Sequence, residues 1–226
     1  MVQIFYLIGI NLINLFYNLG LFIVEVVLFS PKIWWWKMRS LLFLSYLSDG
    51  PYLIVRKEAK RAPVLAQNLI YGETPCLTMK SILQELGVKP SDCFVDLGCG
   101  RGLTVFFVNQ YFHIPTIGVD VIPTFIRRAE ILTKNLGLTQ VRFIKENLSW
   151  ITLDQIGKGT IFYLTGTTFE DELLAKITLR LELLPIGVRL ITLSEALTST
   201  QFKLIKVKPF YFSWGKADVY FHEKVC

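Results

Sequence analysis

Phe94-Val-Asp-Leu-Gly-Cys-Gly-Arg-Gly-Leu103 is the stretch that decides the fold. A short hydrophobic run ends at Gly98, Gly100 and Gly102 and passes directly into an apolar stretch, 103–112, of helical character. Glycines placed this way let the backbone turn tightly and approach a ligand closely. They also present free N–H groups at a helix N-terminus. The spacing is G-x-G-x-G and not the dinucleotide pattern G-x-G-x-x-G, so the loop taken alone is also compatible with a plain structural turn. A second strand, 116–121, carries Asp120, 18 residues after Gly102. An acidic residue there is placed to accept hydrogen bonds from both hydroxyls of a ribose. Its alternative role is to cap the helix that opens at Pro123. Asp96, just before the loop, would lie close to the ligand or hold the loop amides.

Outward from this segment, helical periods alternate with short apolar runs. The pattern predicts helices over 78–86, 103–112, 123–136 and about 169–184, and strands over 93–97, 116–121, 141–145, 160–164 and 188–193. Two further runs, 202–212 and 217–222, have no helix between them and read as a hairpin. This is an α/β order with a mostly parallel sheet, covered on both faces and closed by an antiparallel hairpin.

The rest of the composition is explained by the N-terminus. The chain has 226 residues, 52% of them hydrophobic and 19% charged, with a net charge of +6, and its mean hydropathy is +0.45. Disordered and collagen-like chains are excluded. The apolar run 4–29 contains one charged residue, Glu25, and about 20 residues suffice to span a bilayer. A transmembrane helix is expected. A cleaved signal peptide would need a basic start and a small-residue cut site, and neither is present. Asn11, Asn14, Asn18 and Glu25 share one helical face. This is either polarity tolerated near a helix end or a contact with a partner helix. The stretch 31–62 nets +5 and carries Trp34, Trp35 and Trp36. Basic and aromatic residues together favour the headgroup layer of an anionic membrane, and 41–47 reads as an interfacial helix. Positive residues stay on the cytoplasmic side, so the expected arrangement is single-pass with the domain in the cytoplasm, or in the matrix or stroma of an organelle. Expected boundaries are 1–30 for the span, 31–62 for the juxtamembrane segment and 63–226 for the α/β domain. Nucleic acid is not an expected partner. Cys76, Cys93, Cys99 and Cys226 have neither disulfide-framework nor zinc spacing. His113 and His222 are expected to be structural, and no metal site is expected.

The acidic residue at strand one, the G-x-G-x-G and the acidic end of strand two resemble class I S-adenosylmethionine-dependent methyltransferases, with their Rossmann-like seven-stranded sheet. The resemblance implies that Asp96, Gly98, Gly100 and Gly102 cradle the methionine part of the cofactor, that Asp120 holds the ribose, and that Asn147 lies near the adenine. Ile70-Tyr-Gly-Glu-Thr-Pro75, followed by Asp92-Cys-Phe-Val-Asp-Leu-Gly98, is more narrowly similar to the non-SET histone-lysine methyltransferases of the telomeric-silencing-disruptor type. That resemblance covers about 70–222. It implies that Tyr71, Glu73 and Thr74 loop over the cofactor and that Trp214 lines a channel for the acceptor lysine. In architecture the chain also resembles membrane-anchored methyltransferases that act on a lysine of the ATP synthase c-subunit. Where the telomeric type has Asn-Asn-Phe after strand four, this chain has Thr165-Gly166-Thr167, and Val219 replaces a tail tyrosine.

Trp214, Tyr211 and Tyr163 are candidate walls of an acceptor channel, or plain core. Glu73 would steer an ammonium or hold its loop, and Thr165 would donate to the acceptor or cap the next helix. The expected function is methylation of a lysine on a protein at the membrane. Methylation of a lipid or quinone-like molecule is the second reading, and an inactive cofactor-binding scaffold is the third.

Overall fold

Phe94–Leu97 (β1), Thr116–Asp120 (β2) and Ile161–Leu164 (β4) are buried along their whole length, as expected of parallel strands covered on both faces. With Val141–Lys145 (β3), Arg189–Leu193 (β5), Phe202–Phe212 (β6) and Gly215–Lys224 (β7) they form one seven-stranded sheet in the order β3-β2-β1-β4-β5-β7-β6. The first five strands are parallel and β7 runs antiparallel to both β5 and β6. The computed structural model describes residues 2–61, 69, 71–166 and 169–226, with side chains from residue 14 onward. Ile70, Thr167 and the side chain of Asn11 fall outside the described residues.

The strands divide their side chains between two cores, as a period of two requires. Val95, Leu97, Phe162, Leu164 and Leu190 face one side, where Asp171–Leu181 (α8) contributes Ile177 and Leu181. Phe94, Tyr163 and Ile191 face the other, against Leu103–Phe112 (α5), Pro123–Leu136 (α6) and Cys76–Leu86 (α4). α6 begins with Pro123 at its first turn and stops at Gly137, which is left-handed at φ 71°.

That second core also takes in the N-terminal region. Val2–Phe29 (α1), Ile33–Ser45 (α2) and Pro51–Arg61 (α3) contribute Phe29, Trp35, Met38, Leu42, Ile54 and Val55 to the same cluster as Phe106 and Phe107. The core therefore crosses the expected boundary at residue 62. Phe29 meets Phe107 edge-on at 5.3 Å between ring centroids, and Arg128 of α6 reaches Ser45 O at 2.8 Å and Asp49 at 2.6 Å.

The expected transmembrane span is not supported by the structure. Among the described residues no helix is long and apolar enough to cross a membrane. The polar face of α1 is used inside the chain: Asn18 donates to Ser213 O at 2.9 Å and Glu25 accepts from Leu77 N at 2.9 Å. Asn18, one of the residues for which a partner helix was an alternative, bonds the protein's own tail. α2 differs as well. It is longer than the expected interfacial segment, and Trp35, Met38 and Leu42, spaced i, i+3, i+7, make one side of it core, while Ile33, Trp36, Phe43 and Leu44 stay exposed.

α3 and Leu153–Ile156 (α7) were not legible in the sequence. The histidines sit in structural places. His113 ends α5 in the left-handed region at φ 57°. Burial pushes the His222 imidazole down to about 4, and its Nε2 accepts from Leu197 N at 3.3 Å. The four cysteines are free thiols.

Candidate functional site

The site forms where β1, β2 and β4 end, the place where open α/β sheets bind ligands. After β1 the chain turns back, with the amides of Gly98 and Cys99 both donating to Val119 O at 2.8 and 2.9 Å. Gly98 and Gly100 have φ of 92° and 53°, values L side chains rarely adopt. A Cβ on Gly100 would come within 3.0 Å of the Tyr71 ring. Asp120 ties the turn to the next strand: Oδ2 accepts from Gly100 N and Oδ1 from Ile122 N, each at 2.8 Å. Asp120 borders the cavity, and it does not cap α6, whose N-cap is Ile122 without a side-chain cap bond. Asp96 accepts from the Thr104 hydroxyl in the first turn of α5.

These residues open onto a cavity of about 1060 Å³ lined by Tyr71, Gly98, Gly100, Asp120, Asn147, Thr165 and Trp214, among others. A smaller recess beside it is bordered by Glu73, Thr74, Asp96, Thr104, Tyr163 and Thr165. The expected site residues are thereby gathered in one place, with one exception. Gly102 borders neither space. It starts α5 at φ 82°, and a Cβ there would lie 2.7 Å from the Phe143 ring, so it is a glycine of helix-to-sheet packing.

The segment over the cradle is held by its own side chains. Tyr71 Oη donates to Glu73 Oε1 at 2.5 Å. Arg101 grips the same carboxylate through Nε and, at 2.6 Å, through Nη2. Thr74 and Tyr163 share a hydroxyl–hydroxyl bond of 2.7 Å. Of the two roles open to Glu73, the geometry supports holding the loop, because a bidentate guanidinium already satisfies the carboxylate. Arg101 was missed in the sequence, although it is the one charged residue inside the glycine loop. Trp214 stacks on Phe212 at 4.9 Å and lies against Gly72, with 45% of its surface exposed. Tyr163 borders the recess, but Tyr211 is 59% exposed and lines neither space, contrary to expectation. Asn147 turns its Oδ1 to Ser149 N at 3.0 Å and so caps the 3₁₀ turn Leu148–Trp150 at the cavity wall. Trp150, Leu173, Lys176 and Leu179 extend that wall. No local motif announced them, because they converge only where α8 packs against the 3₁₀ turn 148–150.

The electrostatics favour a cationic ligand. Burial pushes the Asp96 carboxyl up to about 7, with the Thr104 hydrogen bond opposing and Asp120 reinforcing the rise. Burial likewise pushes Asp120 up to about 6 against the loop amides of Ile122 and Gly100. Two buried carboxyls on adjoining spaces, with no cation beside either among the described residues, are relieved by a ligand that brings positive charge.

The family profile described as Histone methylation protein DOT1 matches residues 65–208, well over half of the chain. No curated protein matches the sequence. Among solved structures, TrmN from Thermus thermophilus superposes with a TM-score of 0.57 at 18% identity, over 66% of this chain and 49% of that chain. This chain therefore spans about half the length of that neighbour. An RNA methyltransferase from Salinibacter ruber in complex with S-adenosyl-L-homocysteine superposes at 0.56 with 18% identity, over 68% of this chain and 94% of that one. Magnesium protoporphyrin IX methyltransferase from Synechocystis PCC 6803, with bound S-adenosylmethionine, gives 0.51 at 16%, over 66% and 79%. At these identities the likeness speaks for the fold. Sheet order, glycine turn, acidic strand ends and profile agree: the chain belongs to the family of the histone methylation protein DOT1 and has the seven-stranded fold of S-adenosylmethionine-dependent methyltransferases.

Proposed function

We propose that the protein is an S-adenosylmethionine-dependent methyltransferase acting on a lysine of a protein at a membrane. The observation that carries the cofactor is the cradle itself, in which buried Asp120 borders the cavity and buried Asp96 the adjoining recess, with Gly98 at both. In this reading Asp96 meets the charged methionine end, Asp120 the ribose and Asn147 the adenine edge, under the cover of Tyr71, Glu73 and Thr74. The cofactor, when bound, supplies a methyl group on a sulfonium. The chain's own part is to orient the partners, exclude water and leave the acceptor amine neutral. Trp214 at the rim suits an aliphatic amine, because an apolar, aromatic wall disfavours the charged ammonium. Thr165 borders both spaces and is the proposed polar contact for the acceptor.

Membrane attachment is proposed through the outer faces of α1 and α2. Leu15, Phe16, Leu19, Ile23 and Val27 are exposed there together with Ile33, Trp36, Phe43 and Leu44, next to Lys32, Lys37 and Arg39. An apolar surface flanked by basic residues fits an anionic bilayer, with the domain on the cytoplasmic, matrix or stromal side. A lipid or quinone-like acceptor is the second reading, favoured by the apolar wall of Trp150, Leu173 and Leu179 on the same cavity. Incubating membranes with methyl-labelled cofactor separates the readings. Label in a protein band supports the first and label in the organic phase the second. Cofactor binding with no transfer in either fraction overturns both and leaves a scaffold.

The carboxyl pair also predicts a pH dependence. Because the folded values of about 7 and 6 lie above the usual 3.8, the ligand-free protein binds extra protons between those limits, and this pair's contribution to stability declines as pH rises through them. A cationic ligand selects the ionised carboxylates, so its binding releases protons. Affinity for S-adenosylmethionine is expected to weaken as pH falls through about 7 toward 6, measured by calorimetry in two buffers of different ionisation enthalpy. A flat profile would contradict the placement of Asp96 and Asp120 at the charged ligand.

A further inference from the structure

α1 is more than an attachment, because its polar residues end on the segment that covers the cofactor site. Pro75, at the N-cap of α4, offers no side-chain cap, so the first N–H groups of that helix need an acceptor from elsewhere. Glu25 supplies it from 52 positions upstream: its carboxylate is 3% exposed and accepts from Leu77 N at 2.9 Å. A negative charge at a helix N-terminus is favourable on electrostatic grounds as well. One turn before that helix, the covering segment carries Tyr71, Glu73 and Thr74.

Asn18, two turns earlier on the same face of α1, reaches the other side of the segment. Its Nδ2 donates to Ser213 O at 2.9 Å, and the Ser213 hydroxyl donates to Glu73 O at 3.2 Å. Trp214, the next residue, rests on Gly72. The covering segment is thus gripped at its helical end through Glu25 and at its crest through Asn18 and Ser213. Its inner side is fixed by Arg101 and Tyr163. Of the polar residues on this face of α1, Glu25 acts at Leu77, just past the covering segment, and Asn18 acts on Glu73 O through Ser213. Packing α1 onto the domain would not by itself require either of them.

We infer that Asn18 and Glu25 are positioning residues for the 71–75 segment, so that seating of the N-terminal helix sets cofactor affinity. The inference rests on the cofactor site proposed above. It predicts that a helix drawn away from the domain loosens the cover while leaving the acidic cradle in place.

The test compares full-length wild type with Asn18→Leu, Glu25→Leu and Glu25→Gln in detergent. Binding of S-adenosylhomocysteine is measured by calorimetry, and amide hydrogen exchange is followed at 71–77. The leucine variants are expected to bind about tenfold more weakly and to lose protection at 71–77 without ligand, with protection restored at saturating ligand. Glu25→Gln keeps an oxygen for Leu77 N and should recover much of the affinity. Unchanged affinity and exchange in Asn18→Leu would overturn the inference, and that variant decides alone if Glu25→Leu does not fold. A wild type that fails to bind S-adenosylhomocysteine would instead overturn the cofactor site. Weaker binding together with protection lost evenly over the whole domain would reduce Asn18 and Glu25 to general stabilisers and likewise overturn the inference.

Discussion

Asp120→Ala is expected to weaken binding of S-adenosylhomocysteine by about a hundredfold or more, read by calorimetry on the full chain. The size follows from three losses at one position. The proposed ribose contact disappears. Gly100 N, which holds the tip of the glycine turn, loses its acceptor at 2.8 Å, and Ile122 N loses its own at the same distance. Each orphaned, buried N–H costs about 1–3 kcal/mol, and the first of them lets the loop relax out of the shape that approaches the ligand. Asp120→Asn keeps one oxygen acceptor but turns an amide donor toward the other N–H, so an intermediate loss is expected. Wild-type affinity in the alanine variant would remove Asp120 from the site. Thermal melts of the ligand-free variants separate loss of the loop from loss of the fold.

Gly102→Ala is expected to be the most destabilising single methyl addition in the glycine loop, by about 3 kcal/mol or more. Two independent causes add. The residue sits at φ 82°, and its new Cβ would lie 2.7 Å from one Phe143 ring carbon and 3.2 Å from Phe106. Gly137→Ala isolates the first cause, because that glycine has φ 71° and nothing within 4 Å of a Cβ, so only about 1–2 kcal/mol of left-handed strain is expected there. Urea unfolding of both variants measures the difference. Equal losses at the two positions would show that the Phe143 contact is soft and that only backbone strain matters. Adding Phe143→Leu to Gly102→Ala should recover part of the overpacking and none of the strain.

Gly102 also marks where the sequence was informative and where it misled. G-x-G-x-G located the turn, and Gly98 and Gly100 border the cavity as expected. The third glycine looks identical in sequence but serves the contact between α5 and β3, because Phe143 arrives there from 41 residues downstream. Arg101 was readable in principle as a lone charge in a glycine loop. Its partner Glu73 lies in a different segment, and no spacing rule links them. Tyr211 and Trp214 had equal standing as aromatic residues of the tail, yet only Trp214 turns to the cavity, since Tyr211 lies on the exposed side of an edge strand.

The N-terminus gives the sharper contrast. Composition established that one apolar segment with a basic flank precedes the α/β domain, because hydropathy and charge are additive along the chain. It could not show that Asn18 and Glu25 are used within the molecule. The sequence by itself determined the alternation of strands and helices, the glycine turn, the acidic strand ends and the closing hairpin, all of which depend on residues near one another in the chain. The tertiary structure alone decided that α1 and α2 share the domain's core, that Glu25 caps a helix 52 positions away and that Glu73 is held by Arg101. Those outcomes depend on which distant surfaces meet, and a buried polar group takes whichever partner the packing delivers.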